Sequence, residues 1–113
     1  MKASRANARH YSWGDGCDGW VLLSDAGLWI IEERMPAGTA EQRHHHETAR
    51  QFFYVLSGTF TMELDGATHT LRKGEGITIP PGIKHQAMNN SDEEVAFLGA
   101  SSPTTHGDRE DEL

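Results

Sequence analysis

Short apolar runs closed by Gly, Pro, Asn or Asp recur about every ten residues along this chain, and no stretch carries the 3.6-residue apolar period of a helix. That pattern predicts an all-β sandwich or barrel of roughly eight to ten strands. Residues 19–23 and 27–35 read as the first pair, turning at Ser24-Asp25-Ala26, and residues 51–56 form the most strongly β-prone stretch. Asp65-Gly66 is a two-residue hairpin signal joining residues 59–64 to residues 68–71. Residues 77–79 lead to the stiff corner Pro80-Pro81-Gly82, and residues 85–89 and 95–100 supply the last strands. Leu28-Trp29-Ile30-Ile31 is apolar on both faces, so its outer face is expected to meet another sheet or a second subunit, and a homodimer is the expectation.

At 113 residues the chain has room for one core. We divide it into an N-terminal arm (1–18), a barrel (19–101) and an acidic C-terminal tail (102–113) that is flexible or closes over a barrel mouth. The net charge of −7, gathered partly in Asp92-Glu93-Glu94 and residues 108–112, repels polyphosphate and argues against nucleic acid as a partner. No apolar run approaches membrane-spanning length, so no membrane partner and a cytoplasmic setting are expected. Cys17 is the single cysteine, which rules out an intrachain disulfide; placed in Gly14-Asp15-Gly16-Cys17-Asp18-Gly19, it reads as a loop thiol.

Three histidines and an amide have spacings that suit a metal ion. His44 and His46 are two apart, so on a strand both imidazoles leave the same face, while His45 points away. Gln51 follows at the head of Phe52-Phe53-Tyr54-Val55-Leu56, and His85 arrives after the proline corner, able to complete the set from a neighbouring strand. His10, His69 and His106 are assigned surface or packing roles. Phe52, Phe53 and Tyr54 are read as core; with Gln51 facing the site, alternation also turns Phe53 and Val55 inward, giving a partly apolar pocket for a small organic ligand.

These residues resemble the two motifs of the cupins, small double-stranded β-helix barrels of jelly-roll type that hold one metal ion. The first motif runs Gly38, His44, His46, Gln51, Gly58, and the second Gly74, Pro80, Gly82, His85, Asn89; the one departure is Gln51, where cupins usually carry glutamate. The resemblance implies a single divalent transition metal ion (zinc, nickel, iron, manganese or copper) held by His44, His46, Gln51 and His85. A glutamine offers a neutral carbonyl oxygen, so the ion would keep more positive charge and favour Lewis-acid chemistry (isomerisation, elimination or hydrolysis) over oxygen chemistry. Glutamine at this position is also similar to the small cupins that act on unsaturated uronate sugars. Such chemistry needs an acid or base; residues 95–102 contain neither carboxylate nor histidine, leaving Glu63, Asp108 or Arg109 as candidates. Arg43, Arg50 or Lys84 could meet a substrate carboxylate at the rim or serve simply as surface charges. The leading expectation is an enzyme acting on a sugar acid or keto acid; the alternatives are a dioxygenase of a small diketone or aromatic substrate and a non-catalytic ligand- or metal-binding module.

Overall fold

The computed structural model describes residues 1–112. Among them lie eleven strands and no helix: β1 (Arg9–Trp13), β2 (Cys17–Ser24), β3 (Trp29–Met35), β4 (His44–His46), β5 (Arg50–Ser57), β6 (Thr59–Leu64), β7 (Ala67–Arg72), β8 (Gly76–Ile79), β9 (His85–Met88), β10 (Val95–Ser102) and β11 (Arg109–Asp111). They form a six-stranded sheet, β1-β2-β3-β10-β5-β8, and a five-stranded sheet, β11-β4-β9-β6-β7, with every pairing antiparallel. This is the all-β, double-stranded β-helix architecture expected from the sequence.

Alternation along each strand sorts side chains between the interior and the outside. On β5, Gln51, Phe53 and Val55 are buried whereas Phe52 and Tyr54 are 44% and 40% exposed. Phe52 and Tyr54 are therefore outer-face residues, which corrects their reading as core: a run of consecutive apolar residues on a strand cannot turn to one side. The core proper is Met35, Phe53, Val55, Phe60, Met62, Ile79, Ala87, Val95 and Phe97, joined by Cys17. Phe60, Phe97 and Phe53 pack as an aromatic cluster, with centroids 4.4 Å apart for Phe60–Phe97 and 5.8 Å for Phe53–Phe97. Cys17 opens β2 rather than sitting in a loop; its thiol is buried and lies 3.6 Å from Thr39 Oγ1, and burial raises its pKa.

The motif glycines and Asn89 are structural. Gly58 has φ +82°, and a Cβ there would sit 2.5 Å from the Glu94 carbonyl oxygen, so the β5–β6 turn requires glycine. Asn89, fully buried, donates through Nδ2 to the carbonyls of Met35 (3.0 Å) and Glu93 (2.7 Å) and ties the β9–β10 connection to β3.

Both chain ends join the sheets. β1 pairs along β2, with Tyr11 opposite Gly19, and β11 pairs along β4, with Arg109 opposite His46 and Asp111 opposite His44. The tail is anchored by the Asp108 carboxylate, which accepts the backbone N–H groups of Glu47, Thr48 and Ala49 at 2.9–3.2 Å. Further along, the Glu112 N–H donates to the Arg43 carbonyl at 2.8 Å.

Candidate metal centre

β4 is a strand of only three residues, and its alternation buries His44 and His46 (4% and 6% exposed) while His45 faces outward between the carboxylates of Glu47 and Glu112. β4 pairs with β9 at a single register position, His44 opposite His85, which brings the third histidine, 1% exposed, to the same place. One nitrogen from each of the three rings lies within 4.8 Å of the others, close enough to hold one metal ion. Gln51 approaches from the opposite sheet: it is 7% exposed, and its Nε2 donates to Ser101 Oγ at 3.3 Å.

Hydrogen bonds fix how two of the rings are presented. His44 Nδ1 lies 2.9 Å from the Gln42 carbonyl and His85 Nδ1 2.9 Å from that of Ile83, so each ring donates through Nδ1 and keeps a lone pair on Nε2. His85 Nε2, His46 Nδ1 and Gln51 Oε1 are buried polar atoms with no hydrogen-bond partner. Unsatisfied buried acceptors cost stability unless something occupies them, and a cation is the natural partner for such a set. Burial holds the imidazoles neutral, with His44 pushed down to about 3, His46 to about 4 and His85 lowered as well, so no proton competes for the nitrogens at neutral pH.

His44 and His46, with Gln51, line a cavity of about 370 Å³ between the sheets. Its apolar wall comes from Trp13, Val21, Trp29, Ile31, Phe53 and Phe97. Its charged residues are Arg9, Glu33, Glu41 and Arg109. Of the candidate acid or base residues, Glu63 is held by Arg43 through two hydrogen bonds (2.5 and 3.2 Å) and Asp108 by the β4–β5 turn, and neither lines this cavity, whereas Arg109 does. None of Arg43, Arg50 and Lys84 lines this cavity, in keeping with their reading as surface charges rather than as partners of a substrate carboxylate. Arg43 pairs with Glu63, Lys84 lies 3.5 Å from Glu112, and Arg50 lines a separate, smaller pocket.

Sequence reasoning missed Glu33, Glu41, Arg9 and His106. His106, from the tail, lines the cavity beside Trp29 with ring centroids 3.8 Å apart. Burial pushes the Glu33 carboxyl up to about 8 and that of Glu41 to about 7, so both can carry a proton near neutral pH. The only sequence signal was an interruption: Glu33 breaks the inward apolar face of β3 between Ile31 and Met35.

Because Asp108 fixes the turn between His46 and Gln51, Asp108→Ala is expected to weaken zinc binding about tenfold, the scale seen when a residue supporting a ligand is removed. Competition with a chromogenic chelator measures this, and an unchanged affinity would contradict it.

The arrangement defines a double-stranded β-helix barrel with three convergent histidines, two of which line an interior cavity. The chain belongs to the cupin domain family, whose model matches residues 31–100. It is 36% identical over 69 residues to Protein SchB of Streptomyces halstedii, an alignment covering 58% of this chain and 50% of that protein. The chain spans about half the length of Protein SchB and of the polyketide synthase CurC of Streptomyces cyaneus. Among solved structures it is similar to KdgF from Halomonas sp. (TM-score 0.84, 20% identity, 95% of this chain and 98% of that one). The polyketide cyclase RemF of Streptomyces resistomycificus is equally similar in shape (TM-score 0.84, 18% identity, 100% and 85% covered). No helix of the described residues is long and apolar enough to cross a membrane.

Proposed function

We propose that this cupin is a metal-dependent enzyme acting on a compact oxygenated metabolite, a keto acid or sugar acid, by Lewis-acid-assisted proton transfer. The observation that carries the reading is the convergence of His44, His46 and His85, with the buried carbonyl oxygen of Gln51 left without a partner, where His44 and His46 line a cavity that also contains protonatable carboxyls. His44, His46 and His85, with Gln51 as a fourth donor, would hold a divalent transition metal ion. That ion would supply a Lewis acid able to draw electron density from a substrate carbonyl. With four neutral donors, the charge of the ion would be left uncompensated by the protein, which suits an anionic chelating substrate better than oxygen activation.

The other cavity residues divide the remaining work. Arg9 and Arg109, exposed at the cavity, supply positive charge for a substrate carboxylate. Trp13, Trp29, Phe53 and Phe97 present an apolar wall to the carbon skeleton and exclude water from it. The relatives fit this reading as a group, since a polyketide cyclase, a sugar phosphate isomerase and a nucleoside dehydratase share the barrel. One barrel hosts many chemistries, so the substrate must be argued from the cavity.

The test is metal analysis of protein purified without added metal, followed by incubation of metal-loaded protein with a panel of keto acids and sugar acids. We expect about one transition ion per chain and turnover of at least one compound, abolished by a chelator and restored by the metal. Failure to bind any transition ion, or absence of turnover across the panel, would overturn the proposal.

A further inference from the structure

Tyr11 reaches Glu33 across an intervening strand. The register places Tyr11 of β1 opposite Gly19 of β2, and Gly19 opposite Glu33 of β3, so the three lie in one row across the sheet. The Tyr11 ring lies over Gly19 so closely that a Cβ there would be 2.2 Å from its Cζ. Only glycine at position 19 lets the phenol cross and donate to Glu33 Oε2 at 2.5 Å. The other carboxyl oxygen, Oε1, receives no hydrogen bond from any described residue, and Glu33 lines the histidine-bearing cavity while only 8% exposed. A buried carboxyl normally has both oxygens engaged, so one oxygen clamped and the other free is the arrangement of a group kept for a ligand.

We infer that Glu33, clamped through Oε2 by Tyr11 across Gly19, carries the proton between carbon and oxygen of an enolisable keto acid bound in the cavity. This rests on the reading of the cavity as a metal-dependent enzyme site and adds to it the proton carrier and the class of substrate. In the direction of ketonisation, the C=C electron pair of the enol takes the proton from Oε1 and becomes the new C–H bond. The Glu33 O–H pair stays on the carboxylate, which keeps the Tyr11 hydrogen bond. The protonated carbonyl then loses its O–H proton to Oε1, that pair remaining on the carbonyl oxygen. Glu33 ends as it began, and no oxidant or second substrate is consumed.

The electrostatic surroundings suit this role. Burial is the main cause raising Glu33 to about 8, with the Tyr11 hydrogen bond acting in the opposite direction, Glu41 raising it and Arg109 lowering it. The other titratable or charged groups close to the pair are Arg9 on β1, which acts on Tyr11, and the Cys17 thiol on β2, while β10 presents Phe97 opposite Glu33. A carboxyl with a pKa near the working pH can both give and retake a proton.

Two measurements on the intact chain test this. Difference infrared spectroscopy should show a protonated-carboxyl band at pH 7 that Glu33→Gln removes and that disappears in the wild type as pH rises through about 8. Tyr11→Phe and Gly19→Ala keep the carboxyl but remove or displace its clamp, so its titration should move to higher pH. Exchange of the C3 hydrogens of 2-oxobutyrate in D2O, followed by NMR with the metal-loaded protein, should fall about 100-fold or more in Glu33→Gln while 2-oxobutyrate affinity stays within about threefold. Tyr11→Phe and Gly19→Ala, folded by circular dichroism, should slow exchange about tenfold. Absence of a Glu33-dependent band at pH 7, or exchange in Glu33→Gln within about threefold of wild type, overturns the inference. A wild-type protein that binds metal and turns over panel compounds that Glu33→Gln handles equally well keeps the proposed function and refutes this one. A wild type that shows the Glu33 band but exchanges or converts no compound refutes both.

Discussion

Replacing His85 with alanine should abolish useful metal binding, lowering zinc affinity by more than the roughly 10- to 100-fold that loss of a merely supporting residue costs. The reason lies in the register. His85 is the one of the three convergent histidines that comes from β9, and it stands opposite His44 at the single pairing between β9 and β4. Its Nδ1 is fixed by the Ile83 carbonyl, and its Nε2 is buried with no protein partner. Without that ring, His44 and His46 remain as a pair two residues apart on one three-residue strand, a much weaker chelate. Because burial already keeps His44 and His46 neutral well below pH 7, neutral conditions should not mask the loss through proton competition. Chelator competition at pH 7 on wild type and variant measures the difference; equal affinities would show that the three imidazoles do not act as one site.

Phe97→Ala should be the most damaging of the apolar truncations for stability, at about 3–5 kcal/mol, because it combines lost apolar burial with a cavity that the barrel cannot collapse to fill. Phe97 is fully buried on β10, the strand between β3 and β5, and packs against Phe60 at 4.4 Å, Phe53 at 5.8 Å and, edge-on, Trp13 at 6.2 Å between centroids. Rigid strands on both sides hold the neighbouring side chains apart. Denaturant unfolding of metal-free protein measures the loss, and a change below about 1 kcal/mol would mean that Trp13 and Phe53 refill the space. Since Phe97 and Phe53 also line the cavity, the variant should bind organic ligands more loosely even where it stays folded.

The two predictions draw on different parts of the chain, and those parts were not equally readable. Strand order along the sequence, the hairpin at Asp65-Gly66 and the burial of Phe53 and Val55 follow from local chemistry: alternation with period two, and turn residues that accept the required backbone angles. The convergence of His44, His46 and His85 was readable from the two motifs, since the His-x-His spacing puts two imidazoles on one face and the glycine and proline positions fix the turns around them. The inward direction of Gln51 was readable from alternation along its strand.

The ends of the chain were not readable. Arg109-Glu110-Asp111 is among the least β-prone stretches by composition, yet it forms β11, because Asp108 captures three backbone N–H groups of the β4–β5 turn and delivers the tail alongside β4. β1 likewise lies within a segment read as an arm and is placed by its pairing with β2. Part of the cavity wall shares that origin: Arg9, Tyr11, His106 and Arg109 come from these terminal segments, and no local pattern marks them.

The sequence by itself therefore determined an all-β barrel and the histidine set, because strand alternation and turn chemistry act over two to six residues and can be read in place. Only the tertiary structure decided which carboxyls and cations share the cavity with those histidines. Glu33 meets Tyr11 solely because three strands align and a glycine stands between them, and pairing across a sheet joins residues whose separation along the chain carries no trace of their contact.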